Sequence, residues 1–365
     1  MTTMLAVQAT GPSGAVSLTE VDIPRPGPND VLIRVAAAGL ASGMMTMLAR
    51  GAFRHLPTTL GHEIAGTVED IGDAVDPALA GARVRVHPNL SCRNCEYCRT
   101  DREQMCPQSA MIGHAAFGTA PMPLYERYHD GGMAEYVRVP DWLVDVLPDN
   151  VSFAVAAKLQ DLAGAQRALK AADLRPGSTV VVTAATGTMG AATARLAPML
   201  GISRLVLVAR HADRLDAVAK LASVPTDVVA LDDLPADWTE QQGLTHRLRE
   251  LMPDGADAVI DYLIAGSAAE QALWTLKTGA SFVHMGGNPA PLGVPLGLLL
   301  ARCWRVVGTR SCTRTDSDET LELLTRGLLV ADDLLTHRWP LREALTGIET
   351  MQTRAEPLLM SVLEP

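Results

Sequence analysis

The alternation of apolar and polar residues predicts short strands in the first part of the chain. In DVLIRVAAAG, Val31, Ile33 and Val35 alternate with Leu32 and Arg34, and this period of two is typical of a strand. We expect further strands at EIAGTVEDIG, ARVRVHP and AEYVRVPD, because Gly, Pro, Asp or Asn residues bound each of them. The first ~150 residues are therefore predicted to be β-rich.

From about residue 156 the pattern changes to strand-like runs that alternate with helix-length segments. The runs are TVVVTA, RLVLVAR, TDVVAL, DAVIDYL, ASFVHMG and WRVVGTR, and the helical segments include ADRLDAVAKLAS and AAEQALWTLKTG. Alternation of this kind predicts βαβ units and a parallel sheet covered by helices. The tail, from DSDETLELLTRGLL onward, predicts a helix and short strands that can belong to either part.

Composition limits the classes of protein to which the chain can belong. With 365 residues the chain is long enough for two domains, and 48% apolar with 20% charged residues is a globular balance. The formal net charge of −10 argues against nucleic acid or an anionic membrane as a partner. MTTMLAVQAT has no basic stretch and no long apolar run, so we expect no signal peptide. The longest apolar stretch, around 296–301, is far shorter than the roughly 20 residues of a membrane span, so we expect no span and a cytoplasmic protein.

A glycine-rich turn follows the first strand of the βαβ series. In TVVVTAATGTMGAATARLA, Ala184, Gly187 and Gly190 form an A-x-x-G-x-x-G pattern ahead of a helix. Small residues let the backbone approach a pyrophosphate at the positive end of the helix dipole, although glycine spacing alone also fits a plain strand-to-helix turn. We therefore predict dinucleotide binding at this turn. The candidate cofactor-binding residues are Ala184, Thr186, Gly187, Thr188, Met189, Gly190 and, after a later strand, Gly286.

The end of the next strand bears on which dinucleotide binds. NAD sites usually place a carboxylate there for the ribose hydroxyls, but LVLVARHADRL has Ala209 followed by Arg210, with Arg214 one helical turn later. Arginine suits the 2′-phosphate of NADP. We favour NADP(H) over NAD(H); the alternative is that both arginines are solvated surface charges.

Four cysteines lie close together in CRNCEYCRTDREQMC. Cys92, Cys95, Cys98 and Cys106 have the spacing C-x2-C-x2-C-x7-C, which suits a tetrahedral zinc ion, while an iron–sulfur cluster also takes four cysteines. All four positions are thiolates and none is left for substrate, so we predict one structural zinc per chain. A disulfide framework would need an oxidising compartment that nothing in the sequence indicates. Cys303 and Cys312 stand apart from this group.

These motifs together resemble the medium-chain dehydrogenase/reductase family, specifically its zinc-type alcohol dehydrogenase branch. The matching pieces are GHEIAGTVEDIG, GARVRVHP, the cysteine group, GGMAEYVRVP, the glycine turn and VIDY–GG–VVGTR, in the family's order over nearly the whole chain. The resemblance implies an α/β protein with a GroES-like catalytic domain at 1–155 and 309–365. It also implies a Rossmann domain at 156–308, hydride transfer at the cleft between them, and a homodimer or homotetramer formed through the last Rossmann strands, around 296–307.

The resemblance also implies a catalytic zinc, and here the chain departs from the pattern. The family places a cysteine, then a relay hydroxyl and an aspartate, where GLASGMMTM has Ala41, Gly43 and Met44. The family histidine is His62 of GHE, beside Glu63. The third ligand falls on Gln160 or Asp161, depending on a shift of one residue. Alanine cannot coordinate, so we expect an active site without catalytic zinc. A rebuilt zinc site from His62, Glu63 and Asp161, with Ser42 as a further candidate, is the alternative.

Without zinc, the chain is predicted to be an NADPH-dependent reductase of a C=C, C=O or C=N bond in a small organic substrate. Thr46 lies where zinc-type relatives often have a relay histidine, and it is the first candidate proton donor; Ser42 and water are the others. The alternative for Thr46 is an ordinary helix hydroxyl. The long segment MIGHAAFGTAPMPLYERYHDGG, which contains His114 and Tyr125, either shapes the substrate pocket or is a solvent-exposed insertion. An alcohol dehydrogenase with altered zinc ligands and a non-catalytic NADPH-binding protein remain alternatives.

Overall fold

The computed structural model describes residues 2–11, 15–354 and 356–365. The chain forms two compact units, Met1–Gln160 with Thr313–Pro365, and Asp161–Cys312. The strands are β1 (Thr3–Ala9), β2 (Val16–Asp22), β3 (Asp30–Gly39), β4 (Thr58–Thr59), β5 (Ile64–Ile71), β6 (Arg83–Val86), β7 (Asn89–Leu90), β8 (Ala110–Met111), β9 (Tyr136–Pro140), β10 (Val144–Val146), β11 (Ser178–Thr183), β12 (Ile202–Ala209), β13 (Thr226–Ala230), β14 (Ala256–Asp261), β15 (Leu276–His284), β16 (Arg305–Gly308), β17 (Leu335–Pro340) and β18 (Met360–Glu364). The helices are α1 (Ser42–Ala49), α2 (Pro123–Arg127), α3 (Phe153–Ala157), α4 (Leu159–Ala171), α5 (Thr188–Leu196), α6 (Ala212–Ala219), α7 (Gly243–Leu251), α8 (Ala268–Leu273), α9 (Leu296–Arg302), α10 (Arg314–Thr325) and α11 (Ala344–Thr353).

The first unit is built on a seven-stranded sheet with the order β10-β6-β5-β3-β18-β17, in which β9 also pairs with β3. The predicted strands at DVLIRVAAAG, EIAGTVEDIG, ARVRVHP and AEYVRVPD are β3, β5, β6 and β9. A three-stranded sheet, β2-β1-β4, lies in the same unit. Most apolar side chains of these sheets form a core with Leu48 of α1 and Met133, while Met4 and Ala6 of β1 pack in a smaller cluster with Ala134. The end of β3 pairs with the start of β5, so Gly39 lies beside the GHE segment, with its amide N–H donating to the Glu63 carbonyl at 2.8 Å.

The second unit is a six-stranded, wholly parallel sheet with the order β13-β12-β11-β14-β15-β16. This is the doubly wound order of a dinucleotide-binding fold, and it confirms the predicted α/β class with a β-rich part and a doubly wound parallel part. The order reverses at β11, whose carboxyl end carries the glycine turn. The predicted helix at AAEQALWTLKTG is wrong in its second half, because α8 ends at Leu273 and β15 begins at Leu276. The hydroxyl of Thr275 donates to the Ala272 carbonyl at 2.7 Å and helps to end the helix.

Two predicted features of the remaining chain have clear outcomes. No helix among the described residues is long and apolar enough to cross a membrane. The segment 111–132 is not a solvent-exposed insertion, since Met122, Tyr125 and Tyr128 are buried in the core of the first unit. Its aromatic residues are anchored there by hydrogen bonds from Tyr125 to the His114 carbonyl (2.7 Å) and from Tyr128 to Asp30 (2.6 Å).

Candidate functional site

The four cysteines of the first unit come together as a cluster of ligand atoms. Their Sγ atoms all lie within 4.8 Å of one another, with Cys92 and Cys98 3.9 Å apart and Cys95 and Cys98 3.5 Å apart. A Zn–S bond of about 2.3 Å in a tetrahedron places sulfurs about 3.8 Å apart, so the cluster has the dimensions of a tetrathiolate zinc site. Backbone N–H groups point at the sulfurs, from Cys95 to Cys92 (3.4 Å) and from Gln108 to Cys106 (3.3 Å).

The thiols of this cluster differ in how readily they ionise. Burial opposes ionisation of Cys92, but N–H donors from Asn94 and Cys95 outweigh it and lower the pKa of this thiol to about 7. Burial raises the pKa of Cys98 and the neighbouring sulfurs of Cys95 and Cys106 raise it further, to about 12, because they oppose another negative charge. A cation is therefore needed for all four sulfurs to be thiolates together, and the donor set fits zinc.

The glycine turn of the second unit has the backbone that close approach of a phosphate requires. Ala184 directly follows β11 with φ at +50°, and the Gly187 amide donates to its carbonyl at 3.0 Å. Gly187 then forms the N-cap of α5 without a side-chain acceptor, so the first-turn N–H groups of this helix are not capped by that residue. Gly190 permits close helix–strand packing, because a Cβ there would lie 2.2 Å from the Ala185 carbonyl oxygen. Thr186, Thr188 and Met189 fill the rest of the turn and the first turn of α5 and are half-buried.

The two candidate arginines lie where β12 passes into α6. Arg210 is exposed, its carbonyl accepts from the Asp232 amide at 3.1 Å, and no partner for its guanidinium is recorded in the described parts of the chain. Arg214 lies in the first turn of α6 and is half-buried. His211 pairs with the carboxylate of Asp232 at 2.9 Å, which engages the nearby acid. An exposed cation thus follows the strand where an NAD site would have an acid.

A partly buried hydrogen-bond network lies at the carboxyl ends of the central strands. Asp261, at the end of β14, accepts from the Thr183 hydroxyl and is 2.5 Å from Nδ1 of His284. The other ring nitrogen of His284 accepts from the amides of Gly287 (2.9 Å) and Asn288 (3.2 Å), so the proton resides on Nδ1. The network fixes the loop after β15. Gly286 in that loop packs tightly, because a Cβ there would lie 2.1 Å from the Leu263 carbonyl oxygen.

In the first unit, the GHE carboxylate is held by a lysine. Glu63 is fully buried, and its Oε2 lies 2.5 Å from Nζ of Lys158, the residue between α3 and α4. The same ammonium donates to the Leu40 carbonyl at 3.2 Å. His62 Nε2 is 3.8 Å from the other oxygen of Glu63. Glu63 therefore already has a cationic partner from within the chain.

His62 faces an aromatic wall. Its ring meets that of His114 edge to face, with centroids 4.7 Å apart, and His114 also packs on Phe53 and Phe117 at 5.8 Å. Burial, followed by the charge of Lys158, lowers the pKa of His62 to about 3. Burial, with a smaller contribution from His62, holds the pKa of His114 well below its usual value. Both rings are therefore neutral near pH 7, and the buried cluster they form is aromatic and uncharged.

The remaining candidates lie on helices. Ser42 is exposed at the start of α1, whose N-cap is Ala41. Thr46 is half-buried one turn later, and its hydroxyl donates to the Ser42 carbonyl at 3.1 Å, as an ordinary helix hydroxyl does. Asp161 is half-buried in the first turn of α4. Throughout residues 2–11, 15–354 and 356–365, the four cysteines are the only group of three or more His, Cys, Asp or Glu side chains whose ligand atoms lie this close together.

Two residues of these sites, Lys158 and His284, were not predicted from the sequence. Lys158 gave one signal, a charge within the apolar segment FAVAAKLQDLA, because lysine rarely enters such a segment unless it is paired. His284 gave a weaker one, a polar residue at the end of the buried strand ASFVH.

Comparison with known proteins agrees with this geometry. Two family models match, "Alcohol dehydrogenase GroES-like domain" over residues 27–149 and "Zinc-binding dehydrogenase" over residues 188–326. Sorbitol dehydrogenase of Bombyx mori is 27% identical over 93% of each chain. L-idonate 5-dehydrogenase of Vitis vinifera is 28% identical over 87% of this chain and 82% of its own. A Sinorhizobium meliloti 1021 protein described as a zinc-binding dehydrogenase, solved bound to NADP, is 26% identical over the full length of both chains with a TM-score of 0.83.

Proposed function

Because the chain belongs to the zinc-type medium-chain dehydrogenase/reductase family, we propose that it is an NADPH-dependent reductase that works without catalytic zinc. Its substrate is a small organic molecule with an activated C=C, C=O or C=N bond. The protein is an oxidoreductase, as its relatives are. We assign the catalytic role to the first unit and the cofactor to the second, following the predicted division at 1–155, 156–308 and 309–365.

The observation that carries the zinc-free proposal is the pairing of Glu63 with Lys158. The resemblance implies a metal at the GHE segment, but position 41 is alanine and the neighbouring carboxylate is bound by an ammonium at 2.5 Å. A catalytic zinc needs about three protein ligands with an open fourth position. The residues of the first unit at this segment do not fit that requirement, so no step is assigned to a metal there.

The residues of the second unit fit a dinucleotide. The start of α5, where Gly187 provides no side-chain cap, would receive the pyrophosphate, and Arg210 would contact the 2′-phosphate through charge-assisted hydrogen bonds. NADPH, when bound, supplies the hydride. The solved relative with NADP supports this choice of cofactor. The four-cysteine cluster would hold one structural zinc that contacts no substrate.

An activated double bond is the substrate that suits this site. When hydride adds to a carbon conjugated with a carbonyl or iminium group, the electron pair moves to the oxygen or nitrogen, so less polarisation by a Lewis acid is required. A proton must then be delivered to the substrate. Thr46 and Ser42 remain the candidate donors, with water as the third. His62, His114 and Phe53 form a buried, neutral aromatic cluster beside the GHE segment, and surroundings of this kind suit an apolar or delocalised substrate better than a polyol.

Metal analysis and a substrate panel test the proposal. Purified protein is expected to contain one zinc per chain and to oxidise NADPH with enals, enones or cyclic iminium ions, but not to oxidise sorbitol with NADP or NAD. Two zinc ions per chain together with polyol oxidation would overturn it in favour of a zinc-dependent alcohol dehydrogenase with a rebuilt ligand set. The names of the curated relatives favour that second function. NADPH binding without hydride transfer to any acceptor would indicate a sensor or partner protein.

We also propose that the chain forms a homodimer or homotetramer through the edge of the parallel sheet. Leu296 and Leu300 of α9 are each 82% exposed, and Val306 of β16, an edge strand, is 46% exposed. A second copy would cover them and extend the sheet. Leu300→Glu is expected to shift the sedimentation coefficient toward a smaller assembly, whereas Leu328→Glu, at an exposed position of the first unit, is not. A cytoplasmic location remains part of this proposal.

A further inference from the structure

The structure describes all four lysines of the chain, and Lys158 is the buried one. Its side chain is 1% exposed, whereas Lys170 and Lys220 are exposed and Lys277 is half-buried. An ammonium is rarely enclosed by protein unless a partner compensates for the lost water. The position of Lys158 between α3 and α4 therefore calls for an explanation beyond helix formation.

The ammonium of Lys158 lies between the two segments of the first unit on which the family resemblance places metal ligands. It contacts Glu63, next to His62, and the carbonyl of Leu40, next to Ala41. Glu63 is confined in this position, because a Cβ on Gly39 would lie only 1.9 Å from its Oε2. The carboxylate therefore packs against bare backbone on one side and meets the ammonium on the other.

The charge of Lys158 also acts on His62. Its ammonium lies 2.5 Å from Glu63 Oε2, and His62 Nε2 lies 3.8 Å from the other oxygen of the same carboxylate. A positive charge this close to the imidazole opposes the binding of a divalent ion at its nitrogen. Glu63, the group that would offset that repulsion, is already neutralised.

We propose that Lys158 serves as the resident cation of this site and excludes zinc from His62 and Glu63, even where a thiolate ligand is restored. The inference rests on the proposed function, that the active site works without catalytic zinc. Lys158 is a positioning residue: it acts through Glu63. Ala41, which cannot coordinate a metal, and Lys158, which supplies a cation, then together replace the zinc ion that the resemblance implies at this site.

Zinc content of four proteins tests this inference. The wild type, Ala41→Cys, Ala41→Cys/Lys158→Met and Ala41→Cys/Lys220→Met are purified, dialysed against the same buffered free zinc and measured by mass spectrometry. We expect one zinc per chain in the wild type, in Ala41→Cys and in the Lys220 control, and two in Ala41→Cys/Lys158→Met. Lys220 is exposed, so its replacement changes net charge equally without reaching Glu63.

The other outcomes would overturn either the exclusion of zinc by Lys158 or the proposed function. Two zinc ions in Ala41→Cys alone would overturn the exclusion by Lys158 while leaving the zinc-free wild-type site intact. One zinc in folded Ala41→Cys/Lys158→Met would also overturn it. Two in the wild type would overturn the proposed function itself. Should the methionine variant fail to fold, Lys158→Gln in the same background replaces it, because its amide can still donate to Glu63 without a charge.

Discussion

Replacing Lys158 with methionine keeps most of the side-chain volume and removes the charge that Glu63 contacts. The two side chains are 1% and 0% exposed, so water cannot take the place of the ammonium. Breaking a buried ion pair by removing one partner costs about 3–5 kcal/mol, because the remaining charge is left uncompensated. At about 2–4 °C per kcal/mol for a domain of this size, the unfolding midpoint should fall by roughly 6–20 °C.

Thermal unfolding of four proteins measures this effect as a double-mutant cycle. Glu63→Gln alone should also destabilise, because it leaves the ammonium without its carboxylate. Lys158→Met/Glu63→Gln should lie within about 1 kcal/mol of the wild type, since two neutral side chains replace the pair. Zinc is kept at one per chain in every sample. Lys220→Met, at an exposed position, provides the control and should change stability by less than about 0.5 kcal/mol.

Two results would refute this account of the pair. A loss of less than about 1 kcal/mol in Lys158→Met would mean that Glu63 does not depend on the ammonium. A double variant that loses the sum of the two single losses would mean that each side chain is needed for packing and that the charges are not coupled.

Three further predictions concern other parts of the molecule. Ala184→Gly should raise the free energy of unfolding by about 0.5–1 kcal/mol, because relieving the left-handed alanine (about 1–2 kcal/mol) outweighs the added freedom of the unfolded chain. The control Ala185→Gly should lower it, and equal losses in the two variants would contradict the φ of +50° at Ala184. Arg210→Gln should weaken NADPH binding about 10–150-fold and leave NADH binding unchanged by calorimetry; an equal effect on both would remove Arg210 from the phosphate site. His62 and His114 stay neutral in the folded state but take up a proton in the unfolded state below pH ~6.5. The free energy of unfolding should therefore be highest above pH ~6.5 and fall as the pH drops toward 3, by up to about 1.4 kcal/mol per pH unit for each ring. Urea midpoints that stay level from pH 7 to 5 would contradict this.

The features that were predictable from sequence are those encoded by neighbours along the chain. Short apolar runs such as those in TVVVTA and RLVLVAR indicated the central parallel strands, since a strand buried on both faces is largely apolar. The cysteine spacing likewise predicted a cluster, because Cys92, Cys95, Cys98 and Cys106 are brought together by one short segment. The absence of a catalytic zinc, which Ala41 indicates because alanine cannot coordinate, stays a prediction.

The features that escaped prediction depend on contacts between distant residues or on backbone conformation. Glu63 and Lys158 are 95 positions apart, and no periodicity connects them. The left-handed conformation of Ala184 has no signal in a residue that usually avoids it. The segment around Tyr125 shows no regular hydrophobic period, so only the structure reveals that this segment packs into the core of the first unit.

Hydrogen bonds between His284 and the loop after β15 bear on the conformational entropy of binding the proposed cofactor. Gly287 and Asn288 already donate to His284, so their backbone is ordered before any dinucleotide arrives. Fixing the backbone of a residue costs about 1–2 kcal/mol of conformational entropy, and here that cost falls on folding instead of on binding. Under the proposed function, in which the dinucleotide lies against this loop, its affinity would depend in part on these two hydrogen bonds to the His284 imidazole.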